Sequence, residues 1–214
     1  MMDLVLATRN VHKVAEIRGL LGGDVRLLCQ LDFKDCPAVA EDAATFAGNA
    51  ARKAEGLNAW LEANPQTARM SGPFYVLADD SGLEVDALGG APGVHSARFA
   101  AADSAGGTNS SDAQNNAKLL RLLEGVPSDR RAARFRCVLA LATRDKSTLF
   151  FEGQCGGRIA LGAAGPGGFG YDPLFVPEGF AQSFAELGED VKNRISHRAK
   201  ALAGLRRFLN GVSR

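Results

Sequence analysis

Three short apolar runs, "DLVLA" (3–7), "VRLLC" (25–29) and "YVLAD" (75–79), are separated by two segments with helical spacing, and this alternation limits the fold more than any other feature. "NVHKVAEIRGLLGG" places Val11, Val14, Ile17 or Arg18, and Leu21 on one stripe, with Asn10 as cap and Gly22-Gly23 as stop. "TFAGNAARKAEGLNAWL", capped by Thr45, places Phe46, Ala50, Leu57 and Leu61 on one face. Strands alternating with helices imply a sheet with helices packed on it. Downstream, "DAQNNAKLLRLLEG" reads as a helix capped by Ser111, and "AARFRCVLALATR" with "STLFFEGQCGG" as an antiparallel hairpin turning at "DK". The last helix, "SHRAKALAGLRRFLNG", runs from a Ser196 cap to Gly211 and carries Ala199, Leu202, Leu205 or Arg206, and Leu209 on one stripe. Residues 63–74 and 100–111, rich in small and turn-forming residues, read as surface loops. The expected class is α/β: a mixed central sheet with flanking helices, one domain over residues 1–214, splayed into two lobes.

Composition narrows the functional classes. A chain of 214 residues that is 46% hydrophobic buries a substantial core, which argues against disorder. Its net charge of +1 lacks the basic excess of a nucleic-acid binder, so anion recognition must be local. Cys29, Cys36, Cys137 and Cys155 form no C-x-x-C pair and read as buried free thiols of a reducing compartment. The N-terminal apolar stretch is too short for a signal peptide, and no segment reaches bilayer length, so a soluble cytoplasmic protein is expected.

Charged groups gather at the junctions between elements. The "YVLA" run ends on Asp79-Asp80, and strand alternation sends these carboxylates to opposite sides. A buried carboxylate is costly without a partner, so a metal or a basic group is expected beside it, unless Asp-Asp-Ser-Gly is simply a turn. In "ATRNVHK", Asn10 and Lys13 stand in a first helical turn whose backbone N–H groups suit an anion. Asn49 and Lys53, four residues apart, adjoin the apolar stripe of their helix, so Lys53 must snorkel or meet an anion. Glu41, just upstream, offers a further oxygen ligand.

"GPGGFGYDPLF" (165–175) contains G-x-G-x-x-G, yet Tyr-Asp-Pro follows where a dinucleotide fold needs a helix, so that reading is rejected. The glycines allow close approach to a ligand, and Phe169 or Tyr171 offers a ring for a flat base. "NRISHRAKAL" gathers Lys192, Ser196, His197 and Arg198 at a helix start, a set suited to carbonyl or phosphate oxygens. Acidic groups for a divalent cation, lysines for phosphates and aromatics for a base together point to a nucleoside triphosphate with magnesium, the hard ion such oxygens favour over zinc. No Walker A motif is present.

These segments resemble one family. "TRNVHK", "TFAGNAARKA", "ADDSGLEVDALGGAPGVHSARF", "GFGYDPLF" and "SHRAKAL" are similar, in order from Thr8 to Leu202, to the motifs of the inosine/xanthosine triphosphate pyrophosphatases, the RdgB/HAM1 family. The resemblance implies a homodimeric Mg2+ enzyme that converts non-canonical purine triphosphates (ITP, dITP, XTP) to the monophosphate and pyrophosphate in a nucleotide-binding cleft. It further implies that Thr8, Arg9, Asn10, Val11, His12 and Lys13, with Lys53, hold the triphosphate. By the same resemblance Glu41 and Asp80 would bind magnesium, and Asp80 would also be the proton acceptor. Ser81 contacts substrate, while Phe169, Gly170, Tyr171, Asp172, Lys192, His197 and Arg198 form the base pocket. The chain departs from the pattern at "EDAATF", where Thr-Gly is common, at His95 in place of Tyr, and in a longer 63–74 loop. A hydrolase for other nucleotides and a non-catalytic nucleotide sensor are the rival expectations.

Overall fold

The computed structural model describes residues 2–22, 25–65, 74–101, 110–143 and 145–212. The early alternation forms β1 (Met2–Leu6), α1 (Val11–Leu21), β2 (Val25–Cys29), α2 (Phe46–Ala63) and β3 (Phe74–Val85). Then come α3 (Asp112–Leu122), β4 (Ala132–Ala142), β5 (Thr148–Ile159), β6 (Phe175–Pro177), α4 (Phe184–Ile195) and α5 (His197–Val212). The strands make one six-stranded sheet in the order β2-β1-β3-β4-β5-β6. β1 pairs in parallel with both β2 and β3, and β6 runs antiparallel to β5, so the sheet is mixed as expected. The expected hairpin is present: β4 and β5 are neighbours joined across 143–147, too short a connection for a parallel crossover.

The chain divides into two compact units, residues 1–80, 137–152 and 201–214 in the first and 81–136 and 153–200 in the second. Each has its own core. In the first, Leu4, Leu6 and Leu77 of the sheet pack with Ile17 and Leu21 of α1 and with Leu202, Leu205 and Leu209 of α5. In the second, Leu83, Phe135, Leu119, Tyr171, Phe175 and Phe184 are the main members. β4 records the change along its own length: residues 132–136 alternate between exposed or half-buried and buried, whereas 137–142 are buried without interruption. "ARFRC" is thus a one-sided strand and "CVLALA" a strand covered on both faces.

Several expectations need correction. The strand carrying Asp79-Asp80 does not end there; β3 continues through Ser81-Gly82 to Val85, so the aspartates lie mid-strand and the turn reading is excluded. Val11 is 59% exposed and leaves the α1 stripe to Val14, Ile17 and Leu21. On α5 it is Ala201, not Ala199, that joins the buried stripe with Leu202, Leu205 and Leu209. α4 and β6 were not anticipated, α4 because Gly188, at φ +76°, breaks it into two pieces and interrupts its apolar period. Gly23 and most of the two expected surface loops lie outside the described residues.

Candidate active site

In the first unit, β3 presents two adjacent carboxylates to two different helices. Asp79 shares a face with Leu77, and its Oδ1 meets Lys13 Nζ of α1 at 2.5 Å, while its Oδ2 accepts from Cys137 Sγ at 3.3 Å. Asp80 points the other way, where Oδ1 accepts from Lys53 Nζ of α2 at 2.8 Å and Oδ2 from Asn49 Nδ2 at 3.2 Å. Both ammonium groups also reach the Asp79 carbonyl oxygen, Lys53 at 2.9 Å and Lys13 at 3.4 Å. Glu41 Oε1 lies 3.4 Å from Lys53 Nζ. Lys13, Lys53, Glu41 and Asp80 therefore come together, and Lys53 meets an anion rather than snorkelling. Asp79, Asp80, Asn49 and Lys53 are all buried. Burial pushes the Asp80 carboxyl above the usual carboxylate range against the pull of Lys53 and Lys13, and Glu41 adds to the rise.

The carboxylate pair fits a hard divalent cation. The Lys53 ammonium already sits against both Glu41 and Asp80, which shows that the two oxygens converge on one positive charge. Among the described residues no three His, Cys, Asp or Glu side chains gather as a potential metal cage. Magnesium needs no such cage, because one or two carboxylates, waters and substrate phosphates commonly complete its shell.

The loop before α1 differs from the open anion site expected of it. Asn10 Oδ1 accepts from the N–H groups of His12 and Lys13, and Thr8 Oγ1 accepts from Asn10 N–H. The helix start is thus capped by its own side chains, and those three N–H groups are not open donors. Arg9 reaches back to Cys36 O at 2.5 Å, while Val11 and His12 are exposed.

In the second unit the 165–175 segment folds around Asp172, whose Oδ2 accepts from Phe169 N–H at 2.9 Å and pairs with Lys192 Nζ at 2.5 Å. A side chain on Gly168 would strike that carboxylate, its Cβ lying 2.3 Å from Oδ2. Lys192 Nζ stands 4.5 Å from the Phe169 ring centroid and the Arg198 guanidinium carbon 5.9 Å from it. Arg198 is 2% exposed and donates to Ser81 Oγ at 3.4 Å. His197 stacks on Phe135 with centroids 4.7 Å apart. Ser196 has two tasks, closing α4 through its N–H to Lys192 O and capping α5 by accepting from Ala199 N–H. Of the two aromatics offered for a base, Tyr171 belongs to the core: it is buried and its hydroxyl donates to Ser96 O at 2.8 Å. Phe169 is half-buried, with the Lys192 ammonium over its ring.

Two residues went unnoticed in the sequence. Asp112 Oδ2 accepts from Gly170 N–H at 2.6 Å and Asn116 Nδ2 donates to Gly170 O at 3.0 Å, so α3 grips one residue of the glycine loop from both sides. Their i, i+4 spacing behind the Ser111 cap was the available signal, but nothing local names the distant partner. His95 is exposed in a short 3₁₀ turn, Gly93–Arg98.

A mixed α/β sheet whose adjacent aspartates meet lysines of two helices is an arrangement suited to phosphate, and comparison with known proteins makes the assignment specific. The Ham1 family model matches residues 4–208, and the chain belongs to that family. A dITP/XTP pyrophosphatase of Geobacillus kaustophilus is 49% identical over 208 residues, covering 96% of this chain and 93% of the relative. Among solved structures, the Ham1 protein of Staphylococcus aureus superposes with a TM-score of 0.80 at 35% identity, covering 98% of both chains. A HAM1 protein of Coxiella burnetii gives 0.79 at 37% identity, covering 99% of this chain and all of that one.

Proposed function

We propose that this chain, acting as one Ham1-type domain over residues 1–214, hydrolyses non-canonical purine nucleoside triphosphates (dITP, ITP and XTP) to the monophosphate and pyrophosphate. The observation that carries the reading is the convergence of Lys13 and Lys53 on Asp79 O, directly beside the Asp80 carboxylate. Two ammonium groups, Lys53 buried and Lys13 half-buried, offer positive charge to a tetra-anionic phosphate chain, and a carboxylate among them is placed to take a proton. The names of the relatives support the substrate class.

In the reaction the oxygen of a water molecule bonds to the α-phosphorus, the bond to the β-phosphate oxygen breaks, and pyrophosphate leaves. Asp80 takes the water's proton; its oxygens keep lone pairs for this even while Lys53 and Asn49 donate to them. Lys13 and Lys53 neutralise charge that builds on the phosphate oxygens, with Thr8, Arg9, Asn10, Val11 and His12 flanking the chain. Glu41 and Asp80 would hold magnesium, which supplies charge neutralisation and orients the triphosphate. Phe169 stacks on the base, and Gly170, Asp172, Lys192, His197, Arg198 and Ser81 shape its pocket, with Tyr171 supporting the loop from the core. The Arg198 guanidinium can donate to a 6-oxo group but faces a 6-amino group donor to donor, which disfavours ATP by about 1 to 3 kcal/mol per unpaired donor.

The reading extends to a cytoplasmic homodimer that binds neither nucleic acid nor membrane. The net charge of +1 argues against a polyanion-binding surface, and no helix among the described residues is long and apolar enough to cross a membrane. The deciding experiment measures pyrophosphate release over a panel of ITP, dITP, XTP, ATP, GTP and pyrimidine triphosphates, with magnesium and with EDTA. Release confined to the 6-oxo non-canonical purines and abolished by EDTA is expected. Preference for a pyrimidine overturns the substrate class, and nucleotide binding without release leaves a sensor.

A further inference from the structure

Asn49 lies wholly inside the first unit, at 0% exposure, on the face of α2 that meets β3. Its amide has two ends with opposite chemistry, and both are used. Nδ2 donates to Asp80 Oδ2 at 3.2 Å, and Oδ1 accepts from the backbone N–H of Ala43 at 2.9 Å. Ala43 stands two residues after Glu41, in the irregular stretch where this chain reads "EDAATF". One buried side chain on a rigid helix thus ties the strand that carries Asp80 to the segment that carries Glu41. That segment also packs against the helix start, where a Cβ on Gly48 would come within 2.8 Å of Ala43 Cβ.

We propose that Asn49 is a positioning residue that sets the spacing of the Glu41 and Asp80 carboxylates. The inference rests on the reading that these two groups hold the divalent cation. Lys53 neutralises the pair but is a flexible point charge; the planar amide fixes both the direction of one Asp80 oxygen and the course of the Glu41 segment. Glu41 is 40% exposed in its side chain and is carried by no helix or strand; α2 holds its segment through Lys53 to Glu41, Arg52 to Asp42 and Asn49 to the Ala43 N–H, and of these three the Asn49 bond is the one made to the segment's backbone.

The test is Mn2+ binding by calorimetry to the full-length protein without nucleotide, beside the thermal midpoint. Asn49→Leu, branched at the same atom and without polar atoms, removes both hydrogen bonds. It is expected to weaken Mn2+ about 10- to 100-fold, the usual effect of losing a group that orients a metal ligand. Ala43→Pro removes the donor of the tether, while also fixing its own φ and restricting Asp42, and is expected to weaken Mn2+. Because both act through one connection, the double variant binds no more weakly than Asn49→Leu alone. A lowered midpoint with wild-type Mn2+ affinity in Asn49→Leu means a purely structural role and overturns the proposal, as do effects that multiply in the double variant. Should Asn49→Leu fail to fold, wild-type affinity in Ala43→Pro is sufficient to overturn it. Wild-type protein that binds no Mn2+ brings down the cation reading itself, a separate and recognisable failure.

Discussion

Asp80 and Tyr171 show how one physical effect, burial, serves two ends. Burial raises the Asp80 carboxyl and leaves it a better proton acceptor than a solvated aspartate, while Lys53 and Lys13 limit the rise. Asp80→Asn keeps the size and the neighbours but not the basicity. It is expected to lower kcat for ITP by about two orders of magnitude or more while nucleotide binding stays measurable, and near-normal turnover refutes the role. Tyr171 is raised far beyond the usual tyrosine range, first by burial and then by the Asp112 charge. Since the folded state holds this proton more tightly than the unfolded chain, the contribution is complete below about pH 10 and is lost as pH rises through the elevated value. In an alkaline absorbance titration, the late phase that accompanies unfolding is expected to disappear in Tyr171→Phe. That variant also loses the bond to Ser96 O, about 1 kcal/mol.

At the scale of elements, α3 is held at both ends by distant residues. Its start is closed by the Ser111–Gln114 capping box, and its first turns grip Gly170 through Asp112 and Asn116. Its end is closed by Arg131, which is 4% exposed and donates to Leu123 O, Val126 O and Ala160 O. A guanidinium there satisfies carbonyls that the helix leaves open and complements the negative end of the dipole. Arg131→Met fills most of the space but takes the guanidinium from three carbonyls, of which Leu123 O keeps the Val126 N–H while Val126 O and Ala160 O lose the donor. It is expected to cost about 3 kcal/mol in a denaturant titration at unchanged m, and a loss below about 0.5 kcal/mol counts against the capping role.

At the scale of the whole molecule, β3, β4, β5 and α5 each run from one compact unit into the other, crossing at Asp80-Ser81, Arg136-Cys137, Glu152-Gly153 and Lys200-Ala201. The first unit is therefore assembled from three separate chain segments, and its core depends on the last of them. Leu205, 0% exposed, packs there with Leu4, Leu77 and Leu139. Leu205→Ala is expected to cost about 2 to 5 kcal/mol, with amide exchange accelerated first in β1 and β2 of that unit. Equal acceleration in the second unit's β6 argues against separate cores.

Local chemistry made much of this legible in advance. Apolar period alone marks α1, α2, α3 and α5, because a helix that buries one face must repeat every three to four residues. Lys53 was readable as a lysine in need of an anion because its neighbours on the helix are buried. The rest was decided by partners far along the chain. Whether Asp79-Asp80 closes a strand or sits within one depends on what pairs beyond Ser81, and that Tyr171 serves the core depends on Ser96, 75 residues away. The sequence by itself determined which side chains carry charge, rings and caps. Only the tertiary structure decided which of them meet, since a strand's continuation and a buried group's partner are settled by contacts that no local pattern encodes.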